Sequence, residues 1–440
     1  MPNAFFDTVR METTSTADLL VRNIGQLVTV HDPELDGAGP RRRAGMSSLG
    51  AFTHAAVAVA GGSILAAGPE AEVLARVDVS AAETVDAGGA AVIPGFVDPH
   101  THTVFGKTRQ DEYERRIKGE TYLEIAAAGG GIHASVRDLR DRSEEELTDL
   151  AVTRLQQMLA QGTTTVEIKS GYGLSLDDEV KMLRAATRAA DTVGLRSVRT
   201  CLAAHEMPAE FKEDRQAYVR LITEEILPLV AREGLAHRCD VFCEPTVFNL
   251  EESVVILSRA RDLGLGLTVH ADELAAFGGA VLAARMGAQS ADHLIRIDAD
   301  GRAALADSNT VATLLPGTVF TLGLRDYAPA RAMVDQGCAV ALASDFNPGS
   351  CPINSLPLIM AIACTQMRMT PAESLVGATL NAAWALGLQE TVGSLAPGKA
   401  ADFLVLDGPD YRLVPYHAGH NPVAEVYLGG QRVFPQKITK

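Results

Sequence analysis

The sequence predicts an α/β fold: a (β/α)8 TIM-like barrel with a small β-sandwich domain built from both termini. Between residues 94 and 390, eight short apolar runs alternate with amphipathic helical stretches, which is typical of βα units around a parallel sheet. Both ends of the chain consist instead of short strand-like runs between Gly-rich turns. No GxGxxG or Walker A sequence follows any of the eight runs, which argues against an open nucleotide-binding sheet.

The domain boundaries follow from the change between the strand-like runs at both ends and the alternating strand and helix patterns in the middle. The 440 residues exceed the length of one barrel, which is about 250 residues. We expect residues 1–93 to form the N-terminal part of the small domain, with 1–16 as a disordered tail. Residues 94–390 are then the barrel, and 391–440 complete the small domain.

Each predicted barrel strand is an apolar run bounded by turn or helix signals. The eight strands are expected at PGFVDPHTH (94–102), TTTVEIKSG (163–171), RSVRTCLAAH (196–205), CDVFCEP (239–245), GLTVHADE (266–273), SADHLIRI (290–297), TVATLLPG (310–317) and AVALASDF (339–346). Between them, Ser143 with Glu146 predicts a capped helix start, and Gly162 predicts the end of that helix. A later helix over 213–233 contains Pro228, which predicts a kink or a break.

Charge and composition exclude several classes of protein. Thirty-nine basic residues against 55 acidic ones give a net charge of −16, which argues against nucleic-acid partners and against an anionic membrane surface. No run approaches the roughly 20 apolar residues of a membrane helix. Six cysteines without a CxxC pair indicate reduced thiols, and the N-terminus has no export signal. We therefore expect a cytoplasmic protein.

The polar residues at the strand ends point to a metal-dependent enzyme, because barrel enzymes place their chemistry at the C-terminal ends of the strands. His100 and His102 end the first strand, and side chains two residues apart on a strand point the same way. Two imidazoles suit zinc, iron or a similar divalent ion. His270 and Asp345, at the ends of the fifth and eighth strands, are the natural further ligands.

Other strand-end residues are candidates for proton transfer or substrate binding. Glu273, three residues after His270, could act as general base or hold substrate. His205 and His293 share the same kind of position, which favours a role in the site. Asp272 and Asp292 are each equally suited to orienting a ligand imidazole or to capping the next helix.

The segment VIPGFVDPHTH, the fifth-strand histidine and the eighth-strand aspartate resemble the amidohydrolase superfamily of metal-dependent hydrolases. The C-terminal run GSLAPGKAADFLVLD (393–407) is similar to the strands that complete the β-sandwich domain there. Within the superfamily, PHTHTVFGKTRQDEYERR, EIKSGYGL, HADEL, SADHL and DFNPGS are similar to the imidazolonepropionases, which catalyse the third step of histidine degradation. These runs spread from about residue 94 to 350.

The resemblance implies a reaction and a set of site residues. The reaction is metal-dependent hydrolysis of the cyclic amide C–N bond of 4-imidazolone-5-propanoate to N-formimino-L-glutamate. The metal ligands of the family match His100, His102, His270 and Asp345. Its substrate-binding residues match Arg109, Tyr172, His205, Glu273, Asn347, Gly349 and Ser350. We expect one metal ion per subunit, zinc or iron (Fe²⁺ or Fe³⁺), and the resemblance implies a homodimer.

The expected mechanism assigns a task to each group. Arg109 is suited to bind the propionate carboxylate with two hydrogen bonds. The attacking water loses its proton to Glu273, or to Asp345 acting with His293, and both possibilities stay open. His205 then stabilises the oxyanion together with the metal.

Two other functions are weighed against this one. A nucleobase deaminase or another cyclic amidohydrolase would share the fold and the ligands. A metal-binding scaffold without activity would lack a base and a substrate clamp, and Arg109, Tyr172, His205 and Glu273 argue against it. The fourth strand, CDVFCEP, has no lysine to bridge two ions, which favours a single metal.

Overall fold

The computed structural model describes residues 15–121, 124–125 and 128–435, and within them the chain forms sixteen strands in two sheets. The strands are β1 (Leu19–Val28), β2 (Ala51–Ala60), β3 (Ser63–Pro69), β4 (Glu83–Asp86), β5 (Ala91–Pro94), β6 (Phe96–Asp98), β7 (Thr163–Lys169), β8 (Arg196–Ala204), β9 (Arg238–Cys243), β10 (Gly266–Ala271), β11 (Ser290–His293), β12 (Val311–Leu314), β13 (Val340–Leu342), β14 (Phe403–Leu406), β15 (Val423–Leu428) and β16 (Gln431–Phe434).

The small domain contains strands from both ends of the chain, as predicted. Its order is β16-β15-β14-β5-β1-β2-β3, and β4 pairs with β1. The link between the two termini is the antiparallel pairing of β14 with β5, which joins Phe403 to Pro94. Most of the expected tail lies outside the described residues, but Ser15 accepts a hydrogen bond from Asp78 N at 3.0 Å.

The barrel consists of β6 to β13 in chain order, with each strand parallel to the next. All eight predicted barrel strands are confirmed. The barrel closes just beyond the ends of β6 and β13, where Thr101 bridges Phe346. At this closure His102 N donates to Phe346 O at 2.9 Å, and Asp345 N donates to His100 O at 3.0 Å. The backbone that closes the barrel therefore carries three of the predicted metal ligands.

The helices surround the barrel and fill the connections between its strands. They span Glu70–Arg76, Gln110–Ile117, Ile132–Arg140, Glu144–Ala160, Leu176–Val193, Arg215–Arg220, Leu227–Arg232, Leu250–Asp262, Gly279–Met286, Ala299–Ala306, Pro316–Thr321, Ala330–Gln336, Leu356–Met367, Pro371–Gly377, Leu380–Leu386 and Leu413–Tyr416. Short 3-10 turns lie at Arg43–Ser47 and Ala209–Phe211.

Local sequence signals explain where several helices begin and bend. Ser143 accepts from Glu146 N and the Glu146 side chain accepts from Ser143 N, so the predicted capping box is present. The helix with Pro228 does not break. It widens into a π turn over Leu221–Ile226 just before the proline, which makes room for a ring that would clash with the carbonyl four residues earlier. In the part of the chain described here, no helix is both long and apolar enough to span a membrane.

Candidate active site

The predicted metal ligands meet at the C-terminal mouth of the barrel. His100 and His102 follow β6, and their Nε2 atoms lie 3.3 Å apart. Asp345 Oδ1 lies 3.6 Å from His100 Nε2 and 3.5 Å from His102 Nε2. All three side chains are buried. Two imidazole nitrogens and one carboxylate oxygen thus face a common point.

The spacing of these atoms fits a divalent metal. Two ligands about 2.0–2.1 Å from a tetrahedral zinc stand about 3.3 Å apart, close to the separations of 3.3 to 3.6 Å observed here. His270, at the end of β10, belongs to two further groups that could hold an ion, one with His100 and His293 and one with His102 and His205. The residues present therefore fit the metal that the sequence predicts.

Two buried carboxylates lie against the imidazoles of two predicted metal ligands. His100 Nδ1 lies 2.7 Å from Asp292 Oδ2, and His270 Nδ1 lies 2.8 Å from Asp240 Oδ2. An imidazole that donates through Nδ1 to a carboxylate keeps the Nε2 lone pair available for a metal. Burial lowers the pKa of His100 well below its usual value, which favours the neutral ring.

Asp272 and Asp292, for which the sequence left two roles open, have different contacts in the structure. Asp292 orients His100, as described above. Asp272 instead turns to the start of the helix Gly279–Met286, where Oδ1 accepts from the backbone N atoms of Phe277, Gly278 and Gly279, and Oδ2 accepts from Ala280 N. Asp272 therefore caps a helix, while Asp292 supports the metal site.

Asp345 is held from both sides. Thr318 Oγ1 donates to its Oδ2 at 2.5 Å, while Oδ1 faces the histidines. Burial raises the pKa of Asp345 to about 6. Its backbone has a φ of 54° in the left-handed region, and His293 has a φ of 76°. Such strain at non-glycine residues is common at functional sites.

Glu273 and His293 form a second pair beside the metal ligands. Glu273 Oε1 lies 3.5 Å from His293 Nδ1. Burial, together with the charge of Asp345, raises the pKa of Glu273 to about 8. The buried Glu244 carboxylate accepts hydrogen bonds from Glu273 N at 2.7 Å and from Leu274 N at 3.0 Å, which fixes the loop that carries Glu273.

His205 and Tyr172 line the mouth opposite Asp345. His205 stacks on His102, with ring centroids 5.0 Å apart, and its Nδ1 lies 3.0 Å from Gly171 O. Burial and the neighbouring His270 lower the pKa of His205 to about 3, so the ring is neutral. Because a carbonyl only accepts hydrogen bonds, the proton of this neutral ring is on Nδ1 and Nε2 presents a lone pair. Tyr172 is buried beside His205, with ring centroids 5.4 Å apart.

Arg109 packs against the loop after β13. Its Nη2 donates to Glu112 Oε2 at 2.6 Å, and among the residues that the structure describes its buried Nε has no hydrogen-bond partner. A Cβ at Gly349 would lie 2.2 Å from Arg109 Nη1, so the guanidinium fits only because residue 349 is glycine. The guanidinium thus has hydrogen-bonding capacity left beside the site.

Asn347 and Ser350 shape this loop from within. Asn347 Nδ2 donates to Asp345 O at 2.7 Å, and Asn347 Oδ1 accepts from Gly349 N and Ser350 N at 2.8 Å each. Ser350 Oγ lies 3.0 Å from Asn347 Nδ2. The Asn347 side chain is therefore engaged with its own loop, and its contact with substrate stays a prediction.

Sequence reasoning placed Lys169 among the polar residues at the strand ends without assigning it a task, and it did not select Asp240 or Thr318. Asp240 lies in β9 and Lys169 ends β7, both completely buried, and Thr318 lies on a helix after β12. A charged residue inside an otherwise apolar strand is the signal that could have found the first two, because such residues are rarely buried unpaired.

Comparison with known proteins agrees with the fold. The model of the amidohydrolase family matches residues 91–433. Imidazolonepropionase of Symbiobacterium thermophilum is 49% identical over 418 residues, which cover 94% of this chain and 97% of that protein. Imidazolonepropionase of Solibacter usitatus is 46% identical over 418 residues, which cover 95% and 99%.

Solved structures share the fold at low identity. An adenosine deaminase from Xanthomonas campestris with bound zinc has a TM-score of 0.70 and 20% identity, covering 95% of this chain and 93% of that one. Atrazine chlorohydrolase of Arthrobacter aurescens, in complex with zinc, has a TM-score of 0.72 and 18% identity, covering 94% of each chain.

The barrel, the sandwich domain and the cluster of histidine and aspartate at the barrel mouth define a hydrolase of the amidohydrolase family. The relatives that match over nearly their full length are named imidazolonepropionase, which identifies the family within this class. The chain belongs to the imidazolonepropionase family.

Proposed function

We propose that this site hydrolyses the ring amide C–N bond of 4-imidazolone-5-propanoate, which yields N-formimino-L-glutamate in the third step of histidine degradation. The observation that carries the proposal is the convergence of His100, His102 and Asp345 within 3.6 Å at the barrel mouth. The full-length relatives named imidazolonepropionase supply the substrate.

One divalent metal per subunit, zinc or iron, fits the site, with His100, His102, His270 and Asp345 as the residues that would hold it. When bound, such an ion would lower the pKa of its bound water toward neutral, and it would also polarise the carbonyl that this water attacks. Strand β9 contributes Asp240 and no lysine, which supports a single ion.

Glu273 is the group best placed to take the proton from the attacking water. Its raised pKa makes it a stronger base than an ordinary carboxylate, and it lies at the mouth beside His293. Asp345 is less suited, because Oδ2 already accepts from Thr318 and Oδ1 faces the histidines. After the C–N bond breaks, the proton passes from Glu273 to the leaving ring nitrogen.

His205 and Tyr172 would position the imidazolone ring. The neutral His205 presents a lone pair at Nε2, so it suits acceptance of a hydrogen bond from a ring N–H. This differs from the oxyanion role expected from the sequence, which needs a donor. Burial raises the pKa of Tyr172, so the phenol stays protonated and can donate to the ring oxygen.

Arg109 would bind the propionate carboxylate, with Gly349 leaving room for the guanidinium. We expect Arg109→Lys to lower kcat/KM about 10–100-fold, mostly through a higher KM, because a lysine cannot make two parallel hydrogen bonds to a carboxylate. Steady-state kinetics measures this, with metal content unchanged. Arg115→Lys is the control, since Arg115 lies on the same helix and pairs with Glu120. Equal KM values for the two variants would contradict the assignment.

The proposed function is tested by a spectrophotometric assay of purified protein on 4-imidazolone-5-propanoate, with metal analysis of the same sample. We expect turnover and about one zinc or iron per subunit. Guanine, adenosine and a second cyclic amide serve as competing substrates. Faster turnover of a nucleobase, or bound metal without hydrolysis of any of these compounds, would refute the proposal.

We also propose that the protein acts as a cytoplasmic homodimer. Exposed apolar side chains support a subunit contact, notably Tyr113 and Ile117 on one helix, which are 45% and 69% exposed. Light scattering of the purified protein tests the oligomeric state.

A further inference from the structure

A lysine lies inside the barrel, directly beneath the metal site. Lys169 is the last residue of β7, and none of its side chain is exposed. Its Nζ lies 2.8 Å from Glu167 Oε2, 2.8 Å from Asp240 Oδ2 and 3.6 Å from Asp292 Oδ2. One ammonium group therefore faces three carboxylates in a part of the protein that water does not reach.

Two of these carboxylate oxygens also hold the predicted metal ligands. Asp240 Oδ2 is the same atom that lies 2.8 Å from His270 Nδ1, and Asp292 Oδ2 is the atom 2.7 Å from His100 Nδ1. His270 and His100 come from opposite parts of the barrel wall, on β10 and after β6. Lys169 thus contacts both aspartates that lie against the two imidazoles.

The buried negative charges of Asp240 and Asp292 are stabilised by a cation between them. Asp240 and Asp292 are like charges that converge in a low-dielectric interior, where their repulsion is strong. The three donors of an ammonium group can bridge them and fix where each oxygen points. Each of these oxygens contacts the Nδ1 atom of one imidazole ring. A shift of Lys169 would therefore move both aspartates and change where the Nε2 atoms of His100 and His270 lie.

The second buried cation of the barrel serves as a comparison. Arg238 begins β9 and lies 3.3 Å from Glu167 Oε1 and 3.3 Å from Ser290 Oγ. Within the described residues, it forms no ion pair with Asp240 or Asp292. Both cations therefore share Glu167, but only Lys169 contacts the carboxylates that reach the histidines.

We propose that Lys169 is a positioning residue for the metal site, which holds Asp240 and Asp292 so that His270 and His100 present their Nε2 atoms to one ion. The inference rests on the proposed function, since it assumes that these histidines bind a metal. Lys169 touches neither substrate nor metal in this account and acts only through the two aspartates.

The test uses charge-balanced variants, because Lys169→Gln alone would change the net charge of the buried cluster. The full-length protein with Lys169→Gln and Glu167→Gln loses one buried positive and one buried negative charge, and with them every contact of Lys169 to the two aspartates. The matched control with Arg238→Gln and Glu167→Gln loses the same number of buried charges, but keeps Lys169 on both aspartates. Each protein is stripped of metal and titrated with Zn²⁺ and Co²⁺ in competition with a chelator, and the visible spectrum of the cobalt form is recorded.

We expect the Lys169 variant to bind metal about 10–100-fold more weakly than wild type, as is usual when groups that orient metal ligands are lost, with altered cobalt bands. The Arg238 control should keep the wild-type affinity and spectrum. Equal affinities in the two variants, or a Lys169 variant that fails to fold while the control folds, would overturn the proposal in favour of general barrel stability. A wild-type protein that binds no metal would instead refute the proposed function.

Discussion

Replacing His270 by alanine is expected to abolish metal binding and to lower kcat/KM by at least about 10³-fold, because stabilisation of the oxyanion by a metal supplies several kcal/mol of the reduction in barrier. His270 belongs to two of the three groups of side chains that could hold an ion, one with His100 and one with His102. The change removes a buried imidazole and its nitrogen donor from the cluster. Elemental analysis of the purified variant, together with steady-state kinetics, measures both effects.

His205 and His293 provide the controls for this result. Each lies in one of the same groups with His270, so each is an alternative ligand. If the four predicted ligands are correct, His205→Ala and His293→Ala lose activity but keep about one metal per subunit. Metal retained by the His270 variant, or lost from the His205 variant, would show that the ligand set is wrong.

The barrel and the convergence of the predicted ligands at its mouth could be predicted because they depend on local patterns. Each strand is an apolar run between a helix end and a turn, and the barrel geometry then brings all C-terminal strand ends to one mouth. His100 and His102 share one direction because of the two-residue period of a strand. Knowledge of the fold class was therefore sufficient to bring His270 and Asp345 to the same point.

The supporting groups could not be predicted, because their partners depend on register and backbone conformation. Asp272 and Asp292 each lie within two residues of a histidine of a predicted strand, which does not tell their roles apart. Asp272 has a φ of 49°, which turns it toward the next helix. Asp292 lies within β11, paired in register with His270, and points into the barrel toward His100. A change of strand register by one residue would reverse such an orientation.

The contacts of His205 and Asn347 could not be predicted from the sequence either. Their placement at the mouth follows from the strand ends, but their hydrogen-bonding state does not. The carbonyl of Gly171 fixes the proton of His205 on Nδ1, and the loop backbone occupies the Asn347 amide. Both contacts come from the loop geometry, which no local pattern specifies.

The choice of general base, open at the level of sequence, has a measurable signature in the pH dependence of the rate. A base must be ionised to accept a proton, so activity falls as the pH drops through its pKa. Burial and the charge of Asp345 raise the pKa of Glu273 to about 8. A bound cation would draw this value down, but it should stay above that of an ordinary carboxyl. The wild-type enzyme is therefore expected to lose activity on the acid side at a higher pH than a solvent-exposed glutamate would cause.

Glu273→Gln should lower kcat about 10²–10⁴-fold and remove this acid limb, while metal content stays at the wild-type level. Glutamine keeps the size of the side chain but cannot take a proton from water. Glu206→Gln is the matched control, since Glu206 is another largely buried carboxyl near His205 whose pKa burial also raises. Profiles of kcat/KM against pH for the three proteins decide the assignment. A Glu273 variant with near wild-type kcat and an intact acid limb would transfer the role to the Asp345–His293 pair, because those groups are the only other proton acceptors that the proposed mechanism places beside the attacking water.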